Sequence, residues 1–173
     1  MKLLKVGKAI TLMAKIFSIV GTVLCLAFVV MAFVNPHWIL ENGTLSVNGI
    51  EVSMPVELLK NPALPLAIVF LAGAVLMVLN TLMFHRMHGI IVETMAGRPF
   101  QPCTVKWMKQ IGYFAVSMPL VGAVMSLGAL LMNVDGIYAG LDVSGLLMGV
   151  LVLCLTQVYA YGLELQKDVD ELL

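Results

Sequence analysis

Four stretches of this chain, Ile16–Pro36, Asn61–Phe84, Gln110–Val134 and Val143–Leu163, contain no Asp, Glu, Lys, Arg or His. A helix needs about 20 predominantly apolar residues to cross roughly 30 Å of hydrocarbon, and every stretch meets that length. Inside lipid each backbone N–H and C=O must be satisfied within its own segment, so runs of this kind are expected to be helices. A transmembrane barrel would need alternating segments of about ten residues, and these runs do not alternate. The expected fold is therefore an all-α integral membrane protein, a four-transmembrane-helix bundle. Its spans are expected near 12–35, 62–86, 109–134 and 142–165, in a single membrane domain over 1–173. Composition agrees, since 61% of the residues are hydrophobic and only 12% charged, far from the balance of soluble domains.

Lys2, Lys5 and Lys8 precede the first run in the manner of a secretory signal. The uncharged run is longer than a usual signal core, and no small-x-small cleavage site follows it. A retained signal anchor is expected. The three lysines recur beside Leu3, Leu4, Val6, Ala9 and Ile10, an amphipathic approach whose lysines can reach anionic headgroups.

Orientation follows from the basic residues that flank each span. Nine of the ten, Lys2, Lys5, Lys8, Lys15, Arg86, Arg98, Lys106, Lys109 and Lys167, fall on one side. Lys60 is alone on the other, against Glu41, Glu51, Glu57, Asp135 and Asp142. The basic side is expected to be cytoplasmic, in a bacterial cell membrane, with both termini inside. The net charge of zero conceals this separation and gives no reason to expect direct nucleic-acid binding. Cys25 and Cys154 lie within spans and Cys103 on the cytoplasmic side, so three structural thiols are expected rather than a disulfide.

The 36–61 loop is expected outside the cell. Within it "TLSVNGIEVS" has the pattern of a two-residue hairpin, Asn48-Gly49 suiting a type I′ turn. That pairing would put Val47 opposite Ile50 and Leu45 opposite Val52, with all four on one face. The expected role is a small lid, with a surface for an extracellular ligand as the sharper alternative. The third and fourth helices are joined by "VDGIYAGLD", where Asp135-Gly136 is a turn signal. Gly145 and Gly149, and Gly122 and Ser126, are spaced for close helix contact. Packing within the bundle is the first reading, and a homodimer the second.

Ionisable residues inside a span are costly and usually functional, and the four runs contain none. That weighs against ion-coupled transport. The polar residues Asn80, Thr81, Thr156 and Gln157 are expected to bond between helices at about 0.6 kcal/mol each. His85 and His88 lie one turn apart, with Glu93 and Cys103 the conceivable further ligands. No other ligand spacing accompanies them, so no metal and no other cofactor is expected. There is no Gly-x-Ser-x-Gly, Walker A loop or His-Glu-x-x-His, and no catalytic residues are assigned. The protein is not expected to be an enzyme.

The one polar stretch between apolar runs lies in the expected cytoplasmic connector, 87–108. Gly97 can take positive φ and end a helix, and Pro99 keeps Arg98 out of helical geometry. A new helix is expected from Phe100, with Phe100, Cys103, Trp107 and Ile111 on one face. Lys106, Lys109 and Gln110 would occupy another. Trp107 is expected at headgroup level.

"GRPFQPCTVKWMKQIG" resembles the signature of a bacterial four-helix membrane family catalogued as a domain of unknown function (number 2975). Members carry Gly-x-Pro-Phe, then an Asn, a basic Leu-containing helix and Ile-Gly. The matching residues are Gly97, Pro99, Phe100, Lys109, Ile111 and Gly112. Thr104 takes the family's Asn position and Met108 its Leu position, so any role tied to that amide does not carry over. The ending "YGLELQKDVDELL" is similar to the family's closing Tyr-Gly-x-x-Leu-Gln and Asp-Glu segment. The resemblance implies no catalytic activity and no cofactor. It also implies a neighbouring gene for a small helix-turn-helix DNA-binding protein of the Xre type, and hence a cytoplasmic regulator as partner.

The tail, 164–173, offers a matching surface. Leu165, Val169 and Leu172 form one helical stripe, and Glu164, Asp168 and Glu171 an acidic one that could meet Arg98, Lys106 and Lys109. Together with Phe100 and Trp107 these charged residues are the candidate partner contacts. The leading expectation is a non-enzymatic sensor or anchor holding a small transcriptional regulator. The alternatives are a small transport or immunity-type membrane protein, and a structural accessory subunit of a membrane complex.

Overall fold

The structure is a computed structural model that describes residues 2–35, 45–47, 50–52, 63–97, 101–131, 137–138 and 143–171. Four long helices dominate it: α1 (Lys2–Val34), α2 (Ala63–Met95), α3 (Pro102–Leu131) and α4 (Val143–Glu171). All four are long and apolar enough to cross a membrane. α1 and α2 have 33 residues each, about 50 Å at 1.5 Å per residue, so both outrun the hydrocarbon. α1 is already helical from Lys2, and α2 continues past its uncharged run to Met95. Most of the 87–108 connector is therefore helix.

The helix ends follow local chemistry. Pro65 falls in the first turn of α2, where a missing N–H costs no helical bond. Gly97 has φ of 76°, and its N–H bonds to Thr94 O at 3.1 Å while Ala96 N bonds to Val92 O at 3.0 Å. This left-handed glycine closes α2. α3 starts at Pro102, two residues later than the expected Phe100, because proline suits the first helical position. Gln101 O accepts from Thr104 N at 3.0 Å and from Val105 N at 3.4 Å. Pro119 lies inside α3 and removes the N–H that Ala115 O would otherwise receive.

The chain divides into two compact units. The first holds Met1–Ile16, Asn80–Ser117 and Val143–Leu173. Here α3 and α4 meet at glycines. A Cβ on Gly149 would lie 2.7 Å from Val116 Cγ2 and 2.8 Å from Val116 N, and one on Gly112 would lie 2.6 Å from Leu153 Cγ. Those distances leave room only for hydrogen, so Gly149 serves a contact within the chain. Thr156, expected to bond across helices, donates instead to Val152 O of its own helix at 2.7 Å, the bond that the preceding turn offers any buried threonine.

The second unit holds Phe17–Leu79 and Met118–Asp142. Ala32, Leu66, Ala67 and Phe70 form a buried cluster with Phe28 and Val29 packed on it. The rings of Phe28 and Phe70 stack with centroids 5.1 Å apart. Val69, Ala72 and Leu76 form another cluster, against Met118, Val121 and Met125 of α3. Alanines at these contacts let helix backbones approach, as packing in lipid requires. Ser18 Oγ donates to Met77 O across α1 and α2 at 2.7 Å.

A small sheet belongs to this unit. β1 (Leu45–Val47) pairs antiparallel with β2 (Ile50–Val52), Leu45 opposite Val52 and Val47 opposite Ile50. Asn48 and Gly49 lie outside the described residues. β2 pairs in turn with β3 (Ile137–Tyr138), Glu51 opposite Tyr138 and Val52 opposite Ile137. The segment expected only to turn between α3 and α4 thus supplies a strand.

Apolar side chains cover the outer surfaces of all four helices. Phe17 is 78% exposed, Val124 and Val158 70%, and Phe33 64%. A soluble chain rarely shows contiguous apolar surface on this scale, whereas lipid is its natural solvent.

Candidate functional site

The candidate contacts gather in the first unit, at the start of α3 and the end of α4. Thr104, in the first turn of α3, is 1% exposed, the most buried residue of that turn. Its Oγ1 has no hydrogen-bond partner among the described residues. Trp107 is half-buried, its indole seated on α2 where a Cβ at Gly89 would come within 3.0–3.3 Å of three ring carbons. Lys106 and Lys109 are exposed. Gln110, expected beside those lysines, buries its Oε1 with no partner among the described residues. The helical repeat explains this: Gln110 is three residues on from Trp107 and shares the flank of the buried face. Arg98, Pro99 and Phe100 lie outside the described residues. Gly97 provides the turn before α3, and Gly112 the contact with Leu153.

At the end of α4 every described side chain from Glu164 to Glu171 is exposed. Leu165 is 49% exposed and Val169 55%. Glu164, Asp168 and Glu171 follow one another along a neighbouring stripe. Among the described residues these carboxylates form no ion pair with Lys106 or Lys109. Leu172 lies outside the described residues. The structure therefore presents two exposed charged surfaces, basic on α3 and acidic on α4.

Reading the sequence did not reveal the contacts that α1 makes with α2. Thr11 Oγ1 lies 3.0 Å from Gly7 O and 3.1 Å from Lys8 O, to which it donates. With its hydrogen directed to the main chain, its oxygen accepts from Nδ1 of His88 at 3.3 Å. One turn deeper, Lys15 Nζ donates to Nδ1 of His85 at 3.3 Å, which requires that ring to carry its proton on Nε2. A signal for the second contact was available. Lys15 ends the charged approach to the first run and His85 opens the polar segment after the second, so both belong at one membrane depth.

Residues 51–172, well over half of the chain, match the model of a family described as "Protein of unknown function (DUF2975)". The chain belongs to this family. Neither the curated proteins nor the solved structures contain a match to it. The part shared with the DUF2975 family takes in α2, α3, α4 and β3 with the last two residues of β2, and so includes the Gly97 turn, the buried Thr104 and the exposed end of α4. α1, with Thr11 and Lys15, precedes the matched segment.

Proposed function

We propose that this DUF2975 member is a non-enzymatic sensor or anchor in the bacterial cytoplasmic membrane, and that its cytoplasmic face binds a small helix-turn-helix transcriptional regulator. Both termini and the α2–α3 turn face the cytoplasm, and the sheet faces outward. The observation that carries the reading is the end of α4, where every described side chain from Glu164 to Glu171 is exposed, with an apolar and an acidic stripe. A helical end without packing is only marginally stable in water, so a partner that covers Leu165 and Val169 gains apolar burial. Glu164, Asp168 and Glu171 complement the basic surface with which a DNA-binding protein meets phosphate. Lys106 and Lys109 supply a second, oppositely charged patch for orienting the partner. A signal at the outer sheet or in the bilayer would change helix packing and so the contact.

The test is in-cell crosslinking of the tagged protein, then pull-down in mild detergent. Recovery of a small soluble DNA-binding protein is expected, with loss on Leu165→Ser/Glu171→Lys or Lys106→Glu/Lys109→Glu substitution and normal membrane insertion. Undiminished recovery from both double variants would remove this surface from the account. A membrane protein recovered in constant stoichiometry would favour an accessory subunit.

A further inference from the structure

The contact between Lys15 and His85 is unusual in its charges. Lys15 Nζ approaches Nδ1 of His85 to 3.3 Å, from α1 to α2. The charged groups that act on His85 are Lys15, Arg86 and His88, all cationic or able to become so. α1 contains no acidic residue, and the acid of α2 is Glu93, two turns further along the helix. Arg86 is half-buried and has neither a hydrogen bond nor an ion pair among the described residues. Among the described residues, α1 and α2 thus set Lys15 against His85, with Arg86 the next residue of α2, and neither helix places a carboxylate beside them. With His85 neutral and accepting from Lys15, the fixed charges here are those of Lys15 and Arg86, and like charges repel unless an anion lies between them.

Their depth says which anion. Lys15 is the last ionisable residue before the run Ile16–Pro36, and His85 the first after Asn61–Phe84. Both therefore stand where hydrocarbon gives way to headgroups, the layer that holds lipid phosphate. We propose that Lys15, His85 and Arg86 form a binding site for the phosphate of an anionic lipid headgroup, held between α1 and α2. Arg86 offers a fork of donors to the phosphate oxygens and Lys15 a point charge. His85 joins through Nε2, the ring nitrogen that carries the proton while Nδ1 accepts from Lys15. The site depends on membrane embedding and not on any regulator.

The test uses the full-length protein in nanodiscs of phosphatidylcholine with a minor fraction of phosphatidylglycerol, and mass spectrometry of the lipids retained on release. Retained lipid is expected to be enriched in phosphatidylglycerol. Lys15→Gln and Arg86→Gln should each cut the enrichment about fivefold, as loss of one basic residue near an anionic surface implies. Lys167→Gln removes the same charge from the exposed end of α4 and should leave enrichment unchanged. Arg86→Lys, which keeps the charge, should retain most of it. An equal loss in Lys167→Gln would overturn the site in favour of net charge alone. Where a glutamine variant does not fold, the wild-type chain decides, because absence of enrichment over phosphatidylcholine overturns the proposal. If inorganic phosphate protects the detergent-solubilised protein against heat as well as phosphatidylglycerol does, the site takes a soluble anion and the lipid assignment falls.

Discussion

Gly149 and Gly162 both lie in α4, yet a methyl group meets opposite surroundings at the two positions. At Gly149 it would strike Val116 N at 2.8 Å, and backbone cannot rotate away. At Gly162 no atom of the described residues lies within 4 Å. Gly149→Ala should therefore destabilise the protein by roughly 1–3 kcal/mol, the usual cost of overpacking. Gly162→Ala should stabilise it by about 0.5–1 kcal/mol through helix propensity alone. Thermal unfolding in detergent would rank them, and equal effects would contradict the α3–α4 contact described. Thr104 allows a sharper test of one hydroxyl. Because Oγ1 is buried without a partner among the described residues, Thr104→Val keeps the volume and removes only an unsatisfied polar atom. The variant should match wild type or gain about 1 kcal/mol. A loss of that size would reveal a hydrogen bond to water at this position.

Among the elements, the end of α4 differs from the rest of that helix because no described residue covers it. Its backbone is helical to Glu171 while every described side chain from Glu164 is exposed. Local opening there uncovers no side chain that the described residues bury, so its amides should exchange far faster than those of 150–160 in the isolated protein. Hydrogen exchange read by mass spectrometry checks this, and strong protection of 165–171 without any partner would show a covering contact. The same contrast bears on what could be read in advance. The helices were legible because a charge-free run bordered by Lys15 or His85 has one solution in lipid. Gly97 was legible because few residues accept φ of 76°. β3 was not, since Ile137 and Tyr138 are too few to display a period of two. The spacing of Phe100, Cys103, Trp107 and Ile111 predicts one face of α3, but burial in its first turn is greatest at Thr104. A polar side chain in the most covered position carries no hydrophobic signal. Nor could the Lys15–His85 contact be seen as a distance, because which faces of α1 and α2 meet is decided by their packing and not by either helix alone.

At the scale of the whole molecule, the charge pattern of the sequence is the main clue to orientation. Four successive crossings would bring the nine basic residues other than Lys60 to one side and the loop acids to the other, which is the proposed arrangement. Moving a basic segment out of the cytoplasm opposes the direction in which such segments are retained. Orientation is therefore a measurable consequence of the sequence. The natural cysteines, Cys25, Cys103 and Cys154, are free, and two of them lie within apolar helices. Cys103 stands in the first turn of α3, at the polar end. With Cys25 and Cys154 replaced by alanine, Cys103 should react with a membrane-impermeant maleimide only after the cells are opened. In a second variant, Glu41→Cys with Cys103→Ala added, the thiol lies in the 36–61 loop and should react in intact cells. Opposite labelling of the two would invert the protein and place Lys106, Lys109 and the acidic end of α4 outside, where no cytoplasmic regulator could reach them. The labelling pattern therefore decides whether the proposed docking surface and its partner can share a compartment at all.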